Sequence, residues 1–139
     1  MDSDVIYSKI DSLHRCIARI ESKVPGSVAE LASDIDRQDI IVLNLERSVQ
    51  QSVDIAMHLV SQLSDAPTVT SMGDAFSALH ATGILSSETA DHMRKAVGFR
   101  NTAVHAYQQM DMNIIYAIIT KHLNDFRSFA KEICQAVER

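Results

Sequence analysis

A helical period runs through almost the whole chain and is the strongest constraint on its fold. Apolar residues recur every three or four positions in most segments of the 139 residues, which include only four glycines and two prolines. That spacing buries one face of an α-helix, whereas a many-stranded β fold needs far more turn residues. The sequence therefore predicts an all-α protein, and its 46% hydrophobic content is enough for a substantial core.

Breaks in this period divide the chain into about five helices of an up-and-down bundle. Pro25-Gly26 ends the first helix, a breaker at 64–68 ends the second, and Gly83 ends the third. The predicted spans are 4–22, 36–62, 71–83, 86–107 and 111 onward, and residues 27–33 can add a short helical turn. Because the sequence has neither an internal repeat nor a linker, residues 1–139 are predicted to form a single domain.

Apolar runs and cysteines indicate the cellular compartment of the protein. No apolar run reaches the roughly 18 residues of a membrane helix, and the start of the chain lacks the basic residues of a signal peptide. Cys16 and Cys134 fit neither a disulfide scaffold nor a zinc module, so a cytoplasmic protein is expected.

The net charge of −5 predicts that the chain as a whole repels nucleic acid. The window from His92 to Met110, however, holds three basic residues and no acidic one, which predicts a locally positive surface.

Residues 100–107, Arg-Asn-Thr-Ala-Val-His-Ala-Tyr, concentrate the chemistry of the chain. On a helical wheel Arg100 falls in the apolar stripe of Met93 and Val97, where another apolar residue is expected. A guanidinium in that position must be paired or must line a cavity, because an unpaired buried charge is very costly. Arg100 suits a phosphate, and His105 can exchange a proton near neutral pH.

The octad holds the groups that RNA cleavage without a metal requires. These are a base for the 2′-hydroxyl, a cation for the charge on phosphorus and an acid for the leaving oxygen. Asn101, one turn from His105, can hold a substrate oxygen or fix the imidazole tautomer. The motif contains one histidine per chain, which is too few for both proton transfers, and a symmetric dimer would supply two. The pattern also fits a structural role in which Arg100 pairs with Asp54 or Glu46 and the histidine only packs.

The octad resembles the signature of the HEPN superfamily, in which an arginine is followed after a short spacer by a histidine. The asparagine after the arginine and Tyr107 two positions after the histidine are similar to the HepT-like toxin branch, as is Ala-Val-Gly-Phe at 96–99. The second helix over 45–56, with its polar residues and its Asp-Ile, also resembles that branch. The helix order and the length agree as well, so the resemblance covers nearly the whole chain.

The resemblance implies a toxin of a type II toxin–antitoxin module that forms a symmetric homodimer and cuts RNA without a metal or another cofactor. The two motifs would face one another across the dimer cleft, with Arg100 and His105 as the catalytic pair and Asn101 in support. It also implies a partner, a minimal nucleotidyltransferase antitoxin that transfers AMP to Tyr107. A nucleotide there would add bulk and negative charge beside the arginine, which would fill the cleft and repel RNA phosphate.

Two further pairs of residues are weaker candidates for the same site. Arg94 and Lys95 are predicted, on charge alone, to contact the RNA backbone. Arg47 and Asp54 are predicted to support the site from the second helix. No pair of histidines has the spacing of a zinc helix, so no metal is expected. The alternative functions are a non-catalytic HEPN module that docks a nucleotidyltransferase, or an unrelated bundle with a chance motif.

Overall fold

Seven helices make up the fold in a computed structural model, which describes residues 3–106 and 109–139, with the backbone alone at 104–106. They are α1 (Ser3–Glu21), α2 (Val28–Ala32), α3 (Ile35–Ser61), α4 (Met72–Ala81), α5 (Ser87–Ala106), α6 (Met112–Lys121) and α7 (Leu123–Val137). Within those ranges the chain forms no strand. The predicted all-α class is confirmed, and the first four predicted helices agree with α1, α3, α4 and α5 to within a few residues.

The predicted fifth helix is two helices, and the turn predicted over 27–33 is the short helix α2. His122 is both the C-cap of α6 and the N-cap of α7, with φ −120° and ψ 2°. The apolar stripe continues across this break, with Ile115, Phe126 and Phe129 all buried. A repeat of apolar residues does not reveal a break of one residue. This break and the short helix α2 together raise the number of helices from the expected five or so to seven.

Side-chain caps fix the start of α2, α3 and α4. Ser27, Asp34 and Ser71 each accept a hydrogen bond from the backbone N–H three residues further on, at 3.0 to 3.2 Å. These bonds satisfy donors that the first turn of a helix leaves unpaired. After α4 the chain turns at Gly83, whose φ of 82° lies in the left-handed region that favours glycine. The start of α4 matters for the site, because its first turn contacts α5.

The helices α1, α3, α5 and α7 form a four-helix bundle around one apolar core, and α4 packs on α3 and α5. Phe76 of α4 and Phe129 of α7 are fully buried, and their rings meet edge to face with centroids 5.5 Å apart. This contact ties α4 to the C-terminal helix. In the part of the chain that the structure describes, every helix is too short or too polar to cross a membrane.

Candidate functional site

Arg100 lies where α5 meets α4, inside the apolar stripe in which the sequence placed it. Met93 and Val97, two turns and one turn before it, are buried with exposures of 0% and 7%. The Nη1 of Arg100 donates to the Sδ of Met72 over 3.3 Å, and the Nε is buried without an acceptor among the described residues. Because a thioether is a weak acceptor, the contacts among the described residues leave most of the guanidinium donors available to a ligand.

The ion pairs of residues 3–106 and 109–139 do not include Arg100. Asp54 instead lies 3.7 Å from the Nζ of Lys9 and accepts a hydrogen bond of 2.8 Å from Gln50. Glu46 forms no ion pair with any described residue. The structural role in which Arg100 pairs with Asp54 or Glu46 is therefore wrong for the described contacts. A half-buried cation without a carboxylate is the arrangement that an anionic ligand would complete.

Asn101 and His105 occupy a different side of α5 from Arg100. At about 100° per residue, the positions of Arg100 and His105 are separated by about 140° around the helix axis. Asn101 is exposed, and His105 lies in the last turn of α5, which ends at Ala106. The imidazole of His105 and the whole of Tyr107 lie outside the described residues. One copy of α5 thus presents the two motif positions in different directions.

The two basic residues predicted to contact RNA share one carboxylate. Asp91 lies 3.6 Å from the Nη2 of Arg94 and 3.2 Å from the Nζ of Lys95. The hydrogen bond and charge of Lys95 hold the pKa of the Asp91 carboxyl below its usual range. Arg94 also donates to the Oγ of Ser77 over 3.0 Å. The window that follows Asp91 is therefore less positive than its sequence predicts, because the compensating carboxylate lies one position before it.

Arg47 lies on the side of α3 that packs against α1, and there it lines a groove of about 350 Å³ with Arg15 and Cys16. Asp54 is on the same side of α3, next to Lys9 of α1. Within the described part of the chain, neither Arg47 nor Asp54 forms a hydrogen bond or an ion pair with Arg100. This groove is not predictable from local sequence patterns, because its two arginines are far apart in the chain and line one groove only when α1 packs along α3.

An apolar cleft of about 280 Å³ separates α5 from the start of α7, with Phe99 and Phe126 in its walls. At its rim the Nδ1 atoms of His92 and His122 lie 3.2 and 3.4 Å from the carboxylate of Asp125. This cluster joins the junction of α6 and α7 to α5. In the described ranges no group of three histidine, cysteine or acidic side chains could hold a metal ion.

A helical bundle that carries an arginine and a histidine on the same helix, α5, is the class of HEPN domains, and within the described residues this arginine has no carboxylate partner. The chain belongs to the HepT-like ribonuclease family, because the family model described as Ribonuclease HepT-like matches residues 13–133. It is accordingly an enzyme of the HEPN ribonuclease class. The resemblance that the octad carries in the sequence is confirmed.

Relatives are similar to this chain over most of its length. It is 35% identical over 127 residues to the mRNA nuclease HepT of Shewanella oneidensis MR-1, covering 91% of this chain and 94% of that protein. It is 25% identical over 129 residues to the tRNA nuclease HepT of Aphanizomenon flos-aquae, covering 93% of this chain and 87% of that protein. A solved structure of the tri-AMPylated Shewanella oneidensis HEPN toxin in complex with MNT antitoxin matches with a TM-score of 0.86 at 34% identity, covering 98% of this chain and 99% of that one.

Proposed function

We propose that this protein is the toxin of a type II toxin–antitoxin system and cuts RNA as a symmetric homodimer, without a metal. The observation that supports this most directly is Arg100, which has a buried Nε and no carboxylate partner among the described residues. Membership of a ribonuclease family and the likeness to a HEPN toxin point to the same activity. In this proposal residues 1–139 form one HEPN-like domain that acts in the cytoplasm, where its RNA substrate is found.

In the proposed reaction Arg100 binds the scissile phosphodiester. Its planar fork can donate to two phosphate oxygens, and its permanent charge stabilises the negative charge that develops around phosphorus. His105 removes the proton of the 2′-hydroxyl, and the 2′ oxygen attacks phosphorus while the bond to the 5′ oxygen breaks. That oxygen leaves with a proton from His105 of the partner subunit, and the product carries a 2′,3′-cyclic phosphate. Asn101 holds a substrate oxygen or the imidazole.

In the proposal, the homodimer brings together the arginine and the histidine of the motif. The positions of Arg100 and His105 lie about 140° apart around the axis of one helix. Two copies of α5 related by a twofold axis bring the histidine of each copy toward the arginine of the other. The same symmetry provides one imidazole as base and a second as acid, which a single chain does not contain at this motif.

The proposed antitoxin is a minimal nucleotidyltransferase that transfers AMP to Tyr107. The relative with 34% identity is a tri-AMPylated toxin bound to its MNT antitoxin, and this chain has a tyrosine two residues after the motif histidine. The phosphate of a bound AMP would compete with RNA for the same guanidinium, because both ligands present phosphate oxygens. Adenylylation would therefore block substrate binding.

Expression of the chain alone tests the nuclease assignment. We expect growth arrest, together with cleavage of purified RNA that survives EDTA. Arg100→Ala and His105→Ala are expected to abolish both effects. Thr102→Ala is the matched control, because it changes an exposed residue between them whose hydroxyl donates to the Gly98 carbonyl. If both motif variants arrest growth as strongly as the parent, the site assignment is wrong.

Co-expression with a minimal nucleotidyltransferase of the MNT type tests the regulation. The intact mass of the peptide containing Tyr107 is expected to rise by one or more AMP units. Tyr107→Phe is expected to remain unmodified and to escape neutralisation. A stable complex that forms without any RNA cleavage by the free protein would favour the second candidate, a non-catalytic module that docks the transferase.

A further inference from the structure

Arg15 of α1 and Arg47 of α3 line the same groove between their helices. The rest of its lining is small or neutral and polar, namely Ser12, Cys16, Asn44 and Gln51. Burial raises the pKa of the Cys16 thiol, and the charges of Arg47 and Arg15 oppose that rise. Both guanidinium groups therefore line the same groove as the Cys16 sulfur.

Neither arginine of this groove has a carboxylate partner in the described part of the chain. Other cations do, and those paired with aspartate or glutamate are Lys9, Arg37, Arg94, Lys95 and Arg127. Carboxylates are not scarce, because the sequence has 18 acidic residues against 13 lysines and arginines. Two like charges near one another repel, and a bound anion removes that repulsion.

We propose that the groove between α1 and α3 binds a phosphodiester of the RNA backbone, an inference that rests on the proposed ribonuclease function. The planar forks of Arg15 and Arg47 match the geometry of phosphate oxygens. Ser12, Asn44 and Gln51 add neutral groups that can bond to the sugar and to the remaining oxygens. Such a contact positions the strand and carries no base specificity.

The lining of the groove favours RNA over a partner protein. Protein interfaces bury apolar side chains at their centre. The exposed apolar residues of α3 are Ile35, Leu43 and Met57, with exposures of 64%, 45% and 43%, and none of them lines the groove. A net charge of −5 also requires that any charge used to attract RNA be concentrated locally and left free of carboxylates.

The groove belongs to the α1–α3 side of the bundle, whereas Arg100 lies at the contact of α5 with α4. The lining of the groove comes from α1 and α3 and does not include Arg100, so in this proposal the groove holds a part of the strand other than the bond that is cut. The contribution of Arg15 and Arg47 should therefore depend on the length of the RNA. A long substrate should use the groove, and a dinucleotide should not.

Fluorescence anisotropy with a long single-stranded RNA, in a His105→Ala background that prevents cleavage, tests the groove. Arg15→Gln/Arg47→Gln is expected to weaken binding about tenfold and to lower the slope of log K against log salt by about one. Lys121→Gln/Lys131→Gln makes the same change in charge at two exposed lysines outside the groove. That control is expected to bind within about twofold of its parent.

Kinetics separate this inference from the proposed function. With His105 intact, Arg15→Gln/Arg47→Gln should lower kcat/KM for long RNA and leave that for a dinucleotide unchanged. If the parent cleaves no RNA, the proposed function fails, while the binding comparison still decides whether the groove holds RNA. Equal binding by the groove and control variants would overturn the inference. So would loss of nucleotidyltransferase binding with RNA affinity intact, which would identify a protein-docking groove.

Thermal unfolding separates a binding role from a structural one. Because the two guanidiniums repel each other and have no carboxylate partner within the described residues, Arg15→Gln and Arg47→Gln should each leave Tm unchanged or raise it slightly. Arg15→Lys/Arg47→Lys keeps both charges and should retain the salt slope. A fall in Tm of more than about 3 °C in either single glutamine variant would indicate a structural partner and contradict the inference.

Discussion

Two pairs of cations in this protein are alike in charge and differ in what surrounds them. Arg94 and Lys95 lie on one turn of α5, and Asp91 lies within 3.6 Å of both. Arg15 and Arg47 come from two helices, and no carboxylate of the described chain pairs with either. The first pair is adjacent in the sequence and shares one carboxylate in space. The second pair is far apart in the sequence and has no carboxylate partner among the described residues. Free charge depends on the distance to a carboxylate, so a count of basic residues in a window does not measure it.

Arg100 is a third case, a cation that is partly buried. It too lacks a carboxylate among the described residues, but its Nε is buried and its Nη1 donates to a thioether. A ligand phosphate would gain most from this guanidinium, because water screens it least. The three sets of cations therefore predict effects of different size on RNA cleavage and RNA binding.

The largest effect is expected at Arg100. Arg100→Ala should lower kcat/KM for RNA cleavage about 10²- to 10³-fold, because it removes the cation that stabilises the charge developing on phosphorus. Arg100→Lys keeps the charge and loses the planar fork, so an intermediate loss is expected. Arg94→Ala is the comparison, since its guanidinium is already paired with Asp91. An equal loss in Arg94→Ala would show that pairing does not decide the role of a cation here.

A carboxylate introduced into the α1–α3 groove should offset part of the positive charge of Arg15 and Arg47. Gln51→Glu is nearly isosteric and lies in the lining beside Arg15 and Arg47. Affinity for long RNA is expected to fall about fivefold, the effect of roughly one favourable ion pair at a partly exposed site. Gln135→Glu on the exposed surface of α7 makes the same change in net charge and should have little effect. Equal losses would mean that only net charge matters.

Removal of the Asp91 carboxylate should raise RNA affinity, because Arg94 and Lys95 lose their shared partner. Asp91→Asn frees Arg94 and Lys95 and should raise affinity for long RNA about threefold, measured by anisotropy at low salt. Asp11→Asn, an exposed aspartate outside the ion pairs of the described chain, is the matched control. If the two substitutions raise affinity equally, the release of these two cations is not the cause.

The smallest effect concerns the pH dependence of stability at Asp91. The hydrogen bond and charge of Lys95 lower the pKa of Asp91 in the folded state. A lowered folded pKa stabilises the fold above the unfolded value of about 3.9, and this stabilisation is lost as the pH falls through the folded pKa. The parent should therefore have a slightly higher Tm than Asp91→Asn at pH 7, and the difference should disappear as the pH falls through the folded pKa of Asp91. A difference that grows at low pH would contradict the assigned cause.

The helical period predicted most of the fold, because amphipathic spacing and turn residues are local signals. It placed Arg100 correctly in an apolar stripe, since the wheel positions of Met93 and Val97 follow from one helix alone. It did not predict the break at His122, where the apolar stripe continues through a change of backbone direction. The groove of Arg15 and Arg47 was beyond its reach as well, because it depends on how two helices pack. A residue's partners are properties of tertiary structure.

The edge-to-face contact of Phe76 and Phe129 has a consequence for genetics. Phe76 lies one turn after Met72 on α4, so its ring anchors the short helix whose thioether touches the motif arginine. Truncation of the Phe129 ring would remove the contact that holds α4 in place, without altering any side chain proposed to bind or cleave RNA. Colonies that survive overproduction of this chain should therefore include replacements at both phenylalanines, and their inactivity would reflect a displaced helix in an otherwise intact set of reactive groups.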